Sequence, residues 1–142
     1  MKNKLYYLFL VFMVVAASCK KTEQTPFVLP EGNFIGTFTR IHYNIRTAKL
    51  DTATANLIVK LSAATGFSVT GDTTKYHAGS HGSYIANPYN MQFLDQTLVP
   101  NTPLYPGKEH LAGIYNYSLS DGNLKIAANN DTIGVYYNLQ QQ

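Results

Sequence analysis

The sequence predicts an all-β domain of eight short antiparallel strands. Apolar and polar residues alternate with a period of two from Gly32 onward, and Gly, Asn and Asp interrupt this pattern at short intervals. No segment after residue 31 has the spacing of an amphipathic helix. The chain contains 11 Tyr and 7 Phe, and charged residues make up only 13% of it. This composition excludes a disordered chain, which would be poor in aromatic residues and rich in charge.

The alternation and the turn residues define the individual strands. The clearest hairpin is YNYSLSDGNLKI, where Tyr115 and Tyr117 alternate with polar residues before the turn Asp121-Gly122. A second hairpin is predicted across residues 129–131, because Asn and Asp tolerate left-handed backbone. The predicted strands span residues 33–45, 51–62, 65–71, 79–87, 89–94, 110–119, 123–129 and 131–139.

The first predicted strand contains a switch in the parity of its apolar residues. Phe34 and Phe38 occupy one face, whereas Ile41 and Tyr43 occupy the other. A β-bulge near residues 39–40 would restore one consistent inner face. We therefore predict a bulge there, with Tyr43 turned towards the interior.

Eight antiparallel strands within residues 32–142 fit either a closed up-and-down barrel or a β-sandwich. Short connections favour the barrel, and closure also removes exposed sheet edges. The segment GNFIGTF, residues 32–38, resembles the Gly-x-Trp opening of lipocalin-like barrels, with Phe38 in place of Trp. The resemblance implies a lipocalin-like barrel with Phe38 as an aromatic plug at its narrow end. The Thr-Asp-Tyr signature of true lipocalins is missing, and an avidin-like or other small barrel fits equally well.

The N-terminal residues 1–19 have three zones. Residues 1–4 carry two lysines, and residues 5–17 form an apolar run. This run is shorter than the roughly 20 residues that span a bilayer, but it suits a signal peptide. Small residues at 16–18 then precede Cys19, the only cysteine, which therefore cannot form an internal disulfide.

The stretch Ala16-Ala17-Ser18-Cys19 resembles the lipobox of bacterial lipoproteins, with Ala16 where Leu is most frequent. The resemblance implies a signal peptide over residues 1–18 and a lipid anchor on Cys19. Residues 19–31 would then be the lipidated cysteine and its tether, and residues 32–142 the barrel domain. Two alternatives are an ordinary secretory cleavage site with an incidental cysteine, and a free reactive thiol.

The Ser-Cys-Lys-Lys junction resembles those of Bacteroidetes-type lipoproteins. The lack of Asp directly after Cys19 implies sorting to the outer membrane, and the lack of an acidic stretch implies its periplasmic face.

Thr52, Thr73 and Thr132 each follow Asp and resemble O-glycosylation sites of exported Bacteroidetes proteins, although turn composition produces the same pairs. We therefore expect a lipid-anchored cell-envelope protein.

Five tyrosines lie in predicted strands and are candidates for lining a ligand cavity: Tyr43, Tyr84, Tyr115, Tyr117 and Tyr137. An inward tyrosine combines apolar area with a hydroxyl that needs a partner. The alternative is that these side chains fill the core or pair across strands outside the barrel. The long connection at residues 95–110, with three prolines, is interpreted as a lid, as a patch for a partner, or as a cover for the barrel wall.

Catalytic and metal-binding patterns are weak. The Gly-x-Ser-x-Gly motif is missing, and most aspartates fall in predicted turns. His77 and His81 have a spacing that suits a metal on a helix. Because they lie in a predicted loop-to-strand passage, we expect ordinary surface histidines and neither a metal nor a cofactor.

The charge balance is nearly neutral in the mature chain. Loss of the two leader lysines takes Lys+Arg from 11 to 9, against 8 acidic residues. Nothing supplies the basic face that a nucleic-acid partner would need. We predict a non-enzymatic lipoprotein whose barrel binds or carries a small, partly apolar ligand. The alternative is an accessory envelope lipoprotein that binds a protein or glycan through its outer surface.

Overall fold

The structure, a computed structural model, describes residues 27–98 and 107–142. These residues form eight β-strands, and none of them is helical. No helix in these two ranges could therefore cross a membrane. The strands are β1 (Gly32–Asn44), β2 (Lys49–Ser62), β3 (Gly66–Gly71), β4 (His81–Ala86), β5 (Asn90–Asp95), β6 (Gly113–Ser120), β7 (Asn123–Asn129) and β8 (Ile133–Gln141).

The eight strands form a closed antiparallel barrel in sequence order, with β8 paired to β1. The predicted eight-stranded barrel is therefore confirmed over the sandwich. The predicted turn between β6 and β7 also forms. Asp121 and Gly122 have φ values of 51° and 73°, which is the left-handed pair that a two-residue type I′ hairpin requires.

Strand β1 has no bulge. Its ladders with β2 and β8 continue residue by residue past positions 39–40, so the predicted bulge is wrong. Uninterrupted alternation carries Arg40 and His42 to the inner face and leaves Ile41 and Tyr43 on the outer face. The apolar parity switches because the inner face becomes polar near this end of the barrel.

The barrel has two different ends. We call the end that carries the connections at residues 45–48, 72–80, 96–112 and 130–132 the mouth, and the opposite end the base. At the base, Leu29 packs against the core and Pro30 is buried. The Tyr84 hydroxyl donates a hydrogen bond to the Pro30 carbonyl at 2.6 Å. Packing therefore begins at Leu29, ahead of the predicted domain boundary at Gly32.

Aromatic side chains fill the barrel interior. Ring contacts connect Phe38, Tyr137, Tyr115 and Phe93 in series, with centroid separations of 5.3, 6.0 and 5.8 Å. Phe38 is fully buried at the centre of β1. It therefore packs in the middle of the barrel, not as a plug at one end.

Candidate functional site

The connections β3–β4 and β5–β6 meet at the mouth. His77 and Glu109 form a parallel β-bridge. The Ala78 amide donates to the Glu109 carbonyl at 2.8 Å, and the Glu109 amide donates to the Tyr76 carbonyl at 2.9 Å. We call residues 76–78 and 109 the mouth bridge. This bridge explains why β6 begins at Gly113, later than predicted, since the chain before it pairs with another connection.

The mouth bridge places His77 inside the barrel. The side chain is 0% exposed and packs edge-on against Phe38, with ring centroids 4.8 Å apart. His77 Nδ1 lies 2.6 Å from the Ala78 carbonyl oxygen, and Nε2 lies 2.9 Å from the Tyr137 hydroxyl. Because a carbonyl only accepts, Nδ1 donates and the neutral ring accepts from Tyr137 at Nε2. Our prediction of a surface histidine is wrong for His77, although His81 is exposed.

Burial is the main influence on the ionisation of His77 and favours the neutral ring. It lowers the pKa of His77 to about 4, although the hydrogen bond to the Ala78 carbonyl opposes the shift. The positive charge of His110 lowers this pKa further, and the negative charge of Asp95 opposes that effect. His77 is therefore neutral near pH 7, the state in which Nε2 can accept the hydrogen bond from Tyr137.

A cavity of about 310 Å³ opens at the mouth beside the bridge. Ligand pockets in proteins are typically about 300–1,000 Å³, so this volume suits a small molecule. Three ionisable side chains line the cavity: Arg40, His42 and Glu109. Its apolar wall is formed by Ala112, Ile114, Tyr115, Ala128, Ile133 and Val135. The site is therefore a small mouth cavity with charged and aliphatic surfaces.

Arg40 and Glu109 carry opposite charges and face this cavity from different elements. In the described parts of the chain, no ion pair within 4.0 Å joins them. Burial raises the pKa of Glu109, and the nearby charges of Arg40 and His110 oppose that rise. The Arg40 charge thus favours the ionised form of Glu109, although the two side chains form no ion pair.

Asp95 and His110 form a second ionisable pair near the mouth. His110 Nδ1 lies 2.7 Å from Asp95 Oδ2, and the Asp95 side chain is completely buried. The Thr97 amide and hydroxyl donate to Asp95 Oδ1 at 2.7 and 2.6 Å. Burial opposes ionisation, but these bonds and His110 outweigh it and lower the pKa of Asp95. The carboxylate therefore fixes the start of the β5–β6 connection at the end of β5.

This pair resembles the His-carboxylate part of a catalytic dyad, which also needs a nucleophile in reach of the histidine. The Thr97 hydroxyl lies 3.5 Å from His110 Nδ1, but it donates its proton to Asp95 Oδ1 at 2.6 Å. The described residues 27–98 and 107–142 contain no group of three or more His, Cys, Asp or Glu placed to hold a metal ion.

The five candidate tyrosines occupy different environments. Tyr84, Tyr115 and Tyr137 are buried inside the barrel. Tyr117 is half-buried and donates its hydroxyl to a backbone carbonyl near the base, and Tyr43 is 40% exposed on the outer face. Of the five, Tyr115 lines the mouth cavity. The others among the buried set fill the core, as the alternative interpretation expects.

The three ionisable residues of the cavity were not predicted from the sequence. Arg40 and His42 would have been found by following the alternation from Phe34 and Phe38 without inserting a bulge. Glu109 lies in a connection, where no periodic pattern indicates which side chains face inward.

The remaining predicted sites are spread over the chain. Cys19, the predicted site of lipid attachment, lies outside the described residues, as does the segment 99–106 of the long connection. Thr52 is exposed on β2, whereas Thr73 and Thr132 are half-buried in mouth connections. Glycosylation at these threonines stays a prediction.

The chain matches no protein-family model, no curated protein and no solved structure. The functional conclusion therefore depends on the mouth cavity itself.

Proposed function

We propose that this protein is a lipid-anchored envelope protein whose barrel binds a small, partly apolar molecule at its mouth. The observation that carries the proposal is the cavity of about 310 Å³ with three ionisable groups and an aliphatic wall. Ligand sites are generally concave and mostly apolar, with a few polar groups that orient the ligand. The mouth cavity has this anatomy.

The ligand would sit at the mouth and not along the barrel axis. An eight-stranded barrel is just wide enough either to be filled by side chains or to hold one small ligand. Here Phe38, Tyr115 and Tyr137 fill the centre. A bound molecule would therefore be short and reach solvent on one side.

The position of the predicted tether supports access to the mouth. Leu29 and Pro30 pack at the base, so a tether leading from Cys19 would join the domain there. The cavity lies at the opposite end of the barrel. A lipid on Cys19 would then leave the mouth facing away from the membrane, where a dissolved ligand can enter.

The test compares ligands that co-purify with the protein from its native membrane. Ala128→Trp places a large ring in the cavity, and Lys125→Trp places the same ring on the exposed outer face of the same strand. Mass spectrometry of extracted small molecules should find one species with the wild type and with Lys125→Trp, and lose it with Ala128→Trp. Equal recovery from both variants, or no co-purifying molecule, would refute the proposal.

An outer apolar patch favours the second candidate, an accessory lipoprotein that binds a protein or glycan. Ile85 and Leu94 lie on the adjacent strands β4 and β5 and are each 66% exposed. Ile114 on β6 is 64% exposed and connects this patch to the mouth cavity, which it also lines. Exposed apolar clusters often mark interaction surfaces. In this case, Leu94→Ser would weaken cross-linking to the partner in intact cells, and Ala128→Trp would leave it unchanged.

A further inference from the structure

We infer that the mouth cavity takes a small zwitterion, with a carboxylate bound by Arg40, an ammonium group bound by Glu109, and a short aliphatic body between them. The inference rests on the proposed function and deepens it by naming the ligand class. Its basis is two opposite charges that face one cavity without forming an ion pair.

Arg40 lies among apolar neighbours on the inner face. Its register partners are Ala53 on β2 and Val135 on β8, both buried. Neither side chain can accept a hydrogen bond, and Arg40 lines the cavity, which is open to an acceptor from a ligand. A guanidinium presents donors in a planar fork that matches a carboxylate. Because a partly buried charge without a partner costs free energy, an anionic group here would be stabilised.

Glu109 is held in place by its backbone. Its amide and carbonyl both bond across the mouth bridge, to Tyr76 and Ala78. The bridge therefore fixes the position from which the Glu109 side chain enters the cavity. When ionised, the carboxylate only accepts hydrogen bonds, and an ammonium group beside it would favour that state.

Together, Arg40 and Glu109 favour a ligand that carries both a negative and a positive group. A simple carboxylic acid would satisfy Arg40 and be repelled by Glu109. A simple amine would be attracted by Glu109 and repelled by Arg40. A molecule with both groups satisfies both side chains, and its aliphatic part would contact Ile114, Ile133 and Val135 in the same cavity. The small volume limits that aliphatic part to a short chain.

The test uses four probes that share one branched aliphatic body: leucine, 4-methylpentanoic acid, 3-methylbutylamine and 3-methylbutan-1-ol. Binding to the full-length purified protein is measured by calorimetry. Leucine should bind at least about tenfold more tightly than the acid or the amine, since each of these lacks one charge-assisted hydrogen-bonding group. The alcohol should bind most weakly.

Variants assign each charged group to its side chain. Arg40→Gln should reduce the affinity for leucine to that of the amine, and Glu109→Gln should reduce it to that of the acid. Arg40→Lys keeps the charge and should retain a preference for the carboxylate. The matched control is Arg46→Gln, which removes an exposed arginine of the β1–β2 connection and should change nothing.

The outcomes separate this inference from the proposed function. If the alcohol binds as tightly as leucine, the zwitterion inference is overturned while apolar binding at the mouth stands. If none of the four probes binds, the inference is also overturned, and the co-purification experiment decides independently whether the cavity holds another ligand.

Discussion

Tyr137 donates a hydrogen bond to Nε2 of His77 over 2.9 Å in the sealed interior of the barrel. This bond joins β8 to the β3–β4 connection, which are far apart in the sequence. The other nitrogen of His77 donates to the Ala78 carbonyl, so both nitrogens of the neutral ring are satisfied. The contact therefore holds the mouth bridge against the core.

The first prediction concerns the Tyr137 hydroxyl. Tyr137→Phe keeps the ring but leaves the buried Nε2 of His77 without a donor. An unsatisfied buried polar group costs about 1–3 kcal/mol, so the free energy of unfolding in urea should fall by about that amount. Tyr136→Phe is the control, because Tyr136 is exposed on the outer face of the same strand. Similar losses in the two variants would contradict the role assigned to this hydrogen bond.

The second prediction concerns acid. The ordinary pKa of His77 is 6.5, and in the folded protein it is lowered to about 4. Between these values the unfolded chain binds a proton that the folded chain excludes, so the free energy of unfolding falls as the pH decreases from 6.5 to 4. Exclusion of this proton from His77 accounts for a total decrease of roughly 3 kcal/mol in the free energy of unfolding.

Measurement of urea unfolding at several pH values tests this prediction. His77→Gln should be less stable at pH 7 and should show a smaller loss between pH 6.5 and 4 than the wild type. His81→Gln removes an exposed histidine and should keep the wild-type pH dependence. An unchanged slope in His77→Gln would show that other groups cause the acid sensitivity.

The third prediction concerns Gly36, which forms part of the motif that suggested a lipocalin-like barrel. A Cβ atom here would lie 2.1 Å from the Asn138 carbonyl oxygen and 2.8 Å from the Leu139 Cα. Gly36→Ala must therefore push β1 away from β8, and overpacking of this kind costs about 1–3 kcal/mol. Gly79→Ala, whose nearest contact would be 3.5 Å away, should unfold like the wild type. Thermal unfolding should show a lower midpoint for Gly36→Ala than for Gly79→Ala, and equal midpoints would contradict the prediction.

The fourth prediction concerns the anchor. If Cys19 carries lipid, the protein from native cells should fractionate with membranes and show acyl chains on that cysteine by mass spectrometry. More than one chain is needed for stable attachment. Cys19→Ala should move the protein to the soluble fraction, whereas Ser18→Ala should not. Full membrane retention of Cys19→Ala would refute the anchoring proposal.

The fold was largely predictable because most strands of this barrel obey the rule of alternation. On β2, for example, Ala55, Leu57 and Val59 face inward while the residues between them are exposed. Turn chemistry is equally local, as Asp121-Gly122 shows. The one predicted irregularity, the bulge near residues 39–40, arose from assuming that every inward residue is apolar.

The candidate site was less predictable because tertiary contacts create it. His77 lies in a connection and gains its burial from Phe38 and Tyr137, which are distant in sequence. Glu109 reaches the cavity only because its backbone pairs with another connection. Such bridges between loops leave no periodic signal, so the sequence alone could suggest an inward tyrosine surface but not the charged mouth.

The most direct test of the central claim is an NMR titration of the isotope-labelled protein with the molecule that co-purifies from its native membrane. We predict the largest amide shifts at cavity-lining positions, including Arg40, Ala128 and Val135. Shifts confined to the outer patch around Ile85 and Leu94, or no shifts at saturating ligand, would contradict binding at the mouth.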